Sequence, residues 1–214
     1  ASGRVTFEGS GYEPKGEMRR EDGGPGDGPL RVELERALAA ADRANNAVVE
    51  EHDGRWSVQG DPTEGALLVA ARKAGLDPER LDKRLPRVGE VPFSSERKLM
   101  STLHRDMDRQ PRGIVFTKGA PDVLVTRCSF EVVGEDRRPL TAARREEILR
   151  VNDALAGEAL RTLGVAGLFL PADVLEKYAA RPDTRVEQGL VFAGLIGMID
   201  PPRAEAREAV ARAK

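Results

Sequence analysis

The sequence predicts a mixed α+β fold in which helices interrupt an extensive antiparallel sheet. Three observations predict it. Apolar residues recur with helical spacing in some segments and alternate, or form short unbroken runs, in others. A charged, hairpin-length connection, Arg105 to Pro111, joins two strand candidates. The strict strand–helix alternation of a doubly wound parallel sheet is missing. So are the glycine-rich dinucleotide fingerprint and the Walker phosphate-binding sequence.

Val5 to Tyr12 reads as one edge strand with Thr6 facing outward. The Gly/Pro-rich stretch that follows is expected to be a flexible loop, about 15–29. Leu34, Leu38, Ala41 and Val48 then carry a three- and four-residue repeat, which predicts a helix from about 31 to 49. Trp56 and Val58 mark a short strand after the Asp53-Gly54 turn. Asp61-Pro62-Thr63-Glu64 is a helix start. Asp61 can cap free N–H groups, Pro62 needs no N–H there, and Glu64 sits three residues after the cap. That helix should stop near Gly75, and Asp77-Pro78-Glu79 opens a shorter one.

Sheet follows, with strand candidates at Val91 to Phe93, Lys98 to Leu103 and Gly113 to Thr117. Pro121 to Cys128 reads as a helix, and Phe130 to Val133 as a strand turning at Gly134. A long amphipathic helix from Ala142 to about Leu160 is capped by Thr141. Leu163 to Leu170 and Leu190 to Ile199 are the most apolar runs and suit central strands. Pro201 begins a last helix with proline in its first turn.

Composition narrows the function classes. At 214 residues the chain can bury a substantial core, and a formal net charge of -2 gives no basic excess for nucleic acid or acidic lipid. One cysteine, Cys128, excludes an internal disulfide framework. No apolar run approaches the roughly 20 residues that span a bilayer. His52 and His104 lie in polar stretches and are expected at the surface rather than as metal ligands.

Four clusters can carry chemistry. Lys118-Gly119-Ala120-Pro121 is either a strand-to-helix turn with a solvated lysine, or a cation beside bare backbone that admits an anion or an aromatic base. Phe93 to Met100 is either a bulged edge strand with a core ring, or a stacking ring accompanied by Lys98 and Met100 on one strand face. Asp61 and Glu64 serve as caps, or Glu64 accepts a hydrogen bond from an exocyclic amine. Arg161, where a helix yields to a strand, is a surface residue or a phosphate fork.

Together these segments resemble the nucleotide-binding (N) domain of P-type cation-transporting ATPases of the calcium-pump class. The matching pieces are Asp61-Pro62-Thr63-Glu64-Gly65-Ala66-Leu67, Pro92 through Met100, Phe116 through Asp122, Leu160-Arg161-Thr162-Leu163 and Gly197 through Arg203, in the family's order. The resemblance implies a twisted, mainly antiparallel sheet flanked by helices. It implies an adenine stacked on Phe93, with Lys98, Met100 and Lys118 around it, and Glu64 and Asp61 at the acidic position. Gly119 and Ala120 would form the pocket floor, with Arg161 and Leu163 at the ribose and phosphate end. Ser95 stands where calcium pumps of animal reticulum carry an arginine that helps hold phosphate.

The resemblance also implies an N domain over 1–199 and, over 200–214, the hinge return and the start of the phosphorylation (P) domain. The family's Asp-Lys-Thr-Gly-Thr and Thr-Gly-Glu-Ser motifs do not occur in this sequence. The chain is therefore expected to bind ATP as a soluble monomer without hydrolysing it. In the parent, at the cytoplasmic face of a membrane, it would work with the phosphorylation and actuator domains. Magnesium would be held mainly by the P domain, and the cation would be calcium before manganese, sodium, potassium or proton. Two rivals remain at this point, a non-catalytic protein-interaction module and a free-standing kinase or hydrolase.

Overall fold

A computed structural model describes residues 3–23, 28–109 and 112–199. In chain order the elements begin with β1 (Val5–Phe7) and β2 (Met18–Arg20), then α1 (Pro29–Arg43). A hairpin of β3 (Val48–His52) and β4 (Arg55–Gln59) leads to α2 (Pro62–Lys73) and α3 (Pro78–Arg84). Three strands follow, β5 (Arg87–Ser94), β6 (Leu99–Arg105) and β7 (Arg112–Gly119), and then α4 (Pro121–Arg127). The remainder is β8 (Cys128–Val133), β9 (Asp136–Pro139), α5 (Ala142–Gly157), β10 (Arg161–Pro171), α6 (Ala172–Ala180) and β11 (Leu190–Met198).

Among the described residues a seven-stranded sheet runs in the order β5-β6-β7-β10-β11-β8-β9. Every neighbouring pair is antiparallel except β11 with β8. The two most apolar runs of the sequence are therefore interior strands, as expected. On one face, Ala37, Ala40, Ala41 and Ala44 let α1 lie close against Ile114, Phe116 and Val165, with Leu67 of α2 alongside. The opposite face carries α4, α5 and α6. Leu124, Val125 and Ile148 pack on Leu99, Ala166 and Phe192, while Leu175 packs on Leu103, Val115 and Leu170.

Because strand side chains alternate, Ile114, Phe116 and Lys118 of β7 share a face with one another, as do Val115 and Thr117. Lys118 thus belongs to the α1/α2 side. Phe93 belongs to the edge strand β5, whose pairing with β6 shifts register between Val91 and Ser94. Pro92 at that shift has no N–H to lose, which suits an edge bulge.

Several expectations are corrected. Helix α1 stops at Arg43 rather than 49 because Asn45 turns the chain. Its Oδ1 accepts from Ala47 N at 2.8 Å, and its Nδ2 donates to Glu64 O at 2.9 Å. Val48 consequently opens a strand, and Val49 fills the core site under Leu68 and Val69. The region read as one strand and a loop is a hairpin of β1 with β2, with Thr6 outward as expected. Residues 24–27 of that loop, and the helix expected from Pro201, lie outside the described residues.

His104 is buried, not superficial. Its Nδ1 lies 2.8 Å from Leu85 O and its Nε2 2.9 Å from Thr102 Oγ1. Its ring meets Phe116 edge-on at 5.4 Å between centroids. Desolvation pushes its pKa down to about 4. Helix α6, which sequence reasoning passed over, covers β5 to β7 and β10.

Candidate functional site

The site is built where α2 begins beside the end of β7. Asp61 accepts from Thr63 N at 2.7 Å and Glu64 N at 3.3 Å, so it is the cap its sequence implies, worth about 0.5–2 kcal/mol. Desolvation is the largest influence on its carboxyl and pushes the pKa up. The bonds from Thr63 and Glu64, with the Arg161 charge, outweigh it and leave the pKa below the usual aspartate value. Gly65 follows because Val58 of β4 lies against it; a Cβ would sit 2.4 Å from Val58 Cγ2.

The cap aims Glu64 at β7. Its Oε1 receives Lys118 Nζ at 2.6 Å, and its Oε2 accepts from Asn46 N at 3.0 Å. The Lys118 and Glu64 side chains are only 8% and 17% exposed. The exposed, solvated lysine read as one alternative from the Gly-Ala-Pro turn is therefore corrected: Lys118 is a strand residue shielded under α2. Desolvation lowers its pKa, and the hydrogen bond and charge of Glu64 oppose that. Across the ladder Lys118 faces Met100, which is buried.

Lys98 does not share a strand face with Met100 as expected. It precedes β6, in the left-handed region at φ 54°, with Nζ 4.0 Å from Asp122. Its carbonyl accepts from Ala120 N at 3.1 Å and lies so near Gly119 that a Cβ there would sit 2.1 Å away. Glycine at 119 is thus required by the close approach of the β5–β6 turn. Half-buried Ala120 then caps α4 from extended backbone.

Phe93 is 63% exposed, which removes the alternative of a core ring. A ring so exposed forgoes part of the about 1.5–3 kcal/mol that full burial would bring, and its face is open to a ligand. Ser95, two residues on, is exposed. Arg161, the first residue of β10, is exposed, and its Nη1 donates to Thr63 Oγ1 at 3.2 Å. Leu163 instead packs on the α1/α2 core.

The structure therefore brings Asp61, Glu64, Lys118 and Arg161 to the head of α2, and Lys98, Gly119 and Ala120 to the adjoining turn. Phe93 and Ser95 rise from that turn's other arm, while Met100 and Leu163 lie beneath. Sequence reasoning missed the residues that hold Glu64. Asn46 Nδ2 donates to Glu90 Oε1 at 3.0 Å, Arg87 Nη1 donates to Asn46 Oδ1 at 2.7 Å, and Arg87 pairs with Glu90. The Asn45-Asn46 break in the helical pattern was the signal available for finding them. A separate cleft lined by Arg4, Thr6, Glu8, Arg19 and Glu158 shares no residue with this site, and Arg4 and Arg19 pair there with Glu158 and Glu8.

Residues 33–205 match the family model described as "P-type ATPase, cytoplasmic domain N". The chain is 38% identical over 213 residues to the "Probable cation-transporting ATPase F" of Mycobacterium tuberculosis (strain ATCC 25618 / H37Rv), covering 98% of this chain and 22% of that protein. It is 37% identical over 202 residues to the "Calcium-transporting ATPase" of Bacillus subtilis (strain 168), covering 94% and 22%. With the "Calcium-transporting ATPase 1" of Lactococcus lactis subsp. lactis (strain IL1403) it shares 36% over 173 residues, covering 79% and 19%. The chain spans about a fifth of the length of these curated relatives.

Proposed function

Because the chain belongs to the P-type cation-transporting ATPases, as their cytoplasmic N domain, we propose that it binds the adenosine end of ATP between the head of α2 and the β5–β6 turn. The observation that carries this reading is the Lys118–Glu64 pair, nearly withdrawn from water, one hairpin from an exposed phenylalanine. The adenine stacks on Phe93, an interaction that tolerates displacement but demands an open face. Glu64 has about four lone-pair directions and uses two, on Lys118 and Asn46. It can still accept from an exocyclic amine. Lys118 spends one of its three donors on Glu64 and keeps the others for the base.

Lys98 supplies a second, solvated cation at the rim, and Gly119 and Ala120 let the ligand approach the backbone. Arg161 lies beside Thr63 and Asp61 and offers its fork to the ribose and phosphates, with Leu163 beneath. Ser95 offers only a hydroxyl. The phosphoryl acceptor is assigned to residues outside this chain, so binding here positions the γ-phosphate and does not transfer it. In the whole protein, adenine binding would set the reacting end in place as the domain closes on its P domain, entered through residues 200–214.

Among the described residues no group of three or more His, Cys, Asp or Glu side chains converges. Magnesium is proposed to be held mainly by the P domain. Also among the described residues, no helix is long and apolar enough to cross a membrane, and transport is assigned to segments outside this chain. The names of the Bacillus and Lactococcus relatives make calcium the proposed cation.

Titrating ATP into the isotopically labelled 214-residue protein tests the reading. Saturable amide shifts confined to the neighbourhood of Phe93, Lys98 and Lys118 are expected. No shift at millimolar ATP would overturn it, and turnover of ATP would move the protein to a different enzyme class.

A further inference from the structure

Phe93 poses a mechanical problem. The β5–β6 ladder lapses between Val91 and Ser94, so regular pairing does not fix the Pro92–Phe93 peptide that carries the ring. The chain compensates with Arg97. Its Nη2 donates to Pro92 O at 2.5 Å, while its Nη1 donates to Leu99 O at 3.3 Å on the turn's other arm. The same Nη1 also meets Glu187 Oε1 at 2.8 Å and Oε2 at 3.0 Å.

Glu187 makes this a fixed anchor. It lies on the short 3-10 turn Thr184–Glu187 before β11 and is 2% exposed. Its Oε1 also accepts from Ser101 Oγ at 2.9 Å, and Ser101 Oγ lies 2.8 Å from Thr117 Oγ1. A guanidinium thus ties the carbonyl just before Phe93 to a carboxylate locked onto β6 and, through Thr117, onto β7. The planar fork matters, because one ammonium nitrogen does not reach a carboxylate and a separate carbonyl in the same way.

We infer that Arg97, braced by buried Glu187, is a positioning residue that presents the Phe93 ring for nucleotide stacking; this rests on the adenosine-binding reading above. Arg97 is assigned no contact with the ligand. It acts by restricting a peptide that the interrupted ladder leaves loose, so that binding does not bear the cost of ordering the ring.

The test is a double-mutant cycle on the 214-residue protein. ATP affinity is measured by calorimetry for the unsubstituted chain, Arg97→Lys, Phe93→Ala and the double variant. Lysine keeps a cation for Glu187, so the fold is retained, but it loses the fork. Arg97→Lys is expected to weaken ATP binding about 3- to 10-fold, less than the full worth of the charge-assisted hydrogen bond it removes, because Arg97 acts on the ligand only through the ring. In the Phe93→Ala background the same change should cost less than about twofold. Equal costs in both backgrounds, or no cost in either, would overturn the inference.

Backbone relaxation without nucleotide supplies an independent readout. Order parameters at Phe93 and Ser94 should fall in Arg97→Lys and in Glu187→Gln, and unchanged values would refute the clamp. If the unsubstituted protein does not bind ATP, the nucleotide reading fails and the inference with it, while relaxation still decides whether Arg97 holds the turn.

Discussion

Lys118 Nζ and Glu64 Oε1 stand 2.6 Å apart, although 54 residues separate them in sequence and they arise from a strand and a helix start. The pair joins the head of α2 to the end of β7 and makes one site out of two motifs. Glu64→Ala leaves the Lys118 ammonium shielded without its carboxylate and removes an acceptor from Asn46 N. We expect a loss of about 1–3 kcal/mol in urea unfolding and a further fall in the Lys118 pKa. A loss below about 0.5 kcal/mol, typical of an ordinary surface position, would show the pair to be marginal.

Phe93→Ala should weaken ATP binding by about 1–3 kcal/mol, a range taken from bases stacked on aromatic side chains. Its thermal midpoint should barely move, since the ring is 63% exposed. A large drop in the midpoint would mean that the ring supports the core instead.

Gly119→Ala places a methyl 2.1 Å from Lys98 O and 2.7 Å from Leu99 Cδ2. Backbone must move at the junction of β6, β7 and the β5–β6 turn. The expected loss is about 1–3 kcal/mol, as for overpacked cores, with weakened ATP binding. A variant as stable as the parent would show that the turn stands off from β7.

His104 makes stability fall in mild acid. Its folded pKa is depressed to about 4 from 6.5, so between those values the unfolded chain binds the proton that the fold refuses. The contribution is complete above pH 6.5 and is lost as pH falls toward 4, on the order of 3 kcal/mol in total. While neutral, the ring donates from Nδ1 to Leu85 O, with Nε2 2.9 Å from Thr102 Oγ1. Following its Cε1–H resonance from pH 7 to 3.5 checks this; a midpoint near 6.5 would refute it.

Local chemistry was legible in the sequence and distant chemistry was not. Asp61 announced its cap through the proline and glutamate beside it, and the runs ending at Leu170 and Ile199 announced interior strands. Helix α1 was overrun because Val48 kept the helical spacing that Asn45 breaks with side-chain hydrogen bonds. His104 looked superficial because its neighbours along the chain are polar, whereas its surroundings come from Leu85, Phe116 and Thr102. Lys118 could be read as solvated because a Gly-Ala-Pro turn follows it, whereas its shield, Glu64 at the head of α2, lies 54 residues away. The Arg97–Glu187 brace spans 90 residues, and no spacing rule connects its ends.

The central claim is that an adenine lies on the Phe93 ring beside Lys118. Intermolecular nuclear Overhauser effects between the adenine H2 and H8 protons of bound ATP and labelled Phe93 measure this directly. The account predicts cross-peaks to the Phe93 ring protons, with further ones to the Lys118 side chain. Saturable ATP binding whose adenine protons contact other side chains and leave Phe93 silent would contradict it.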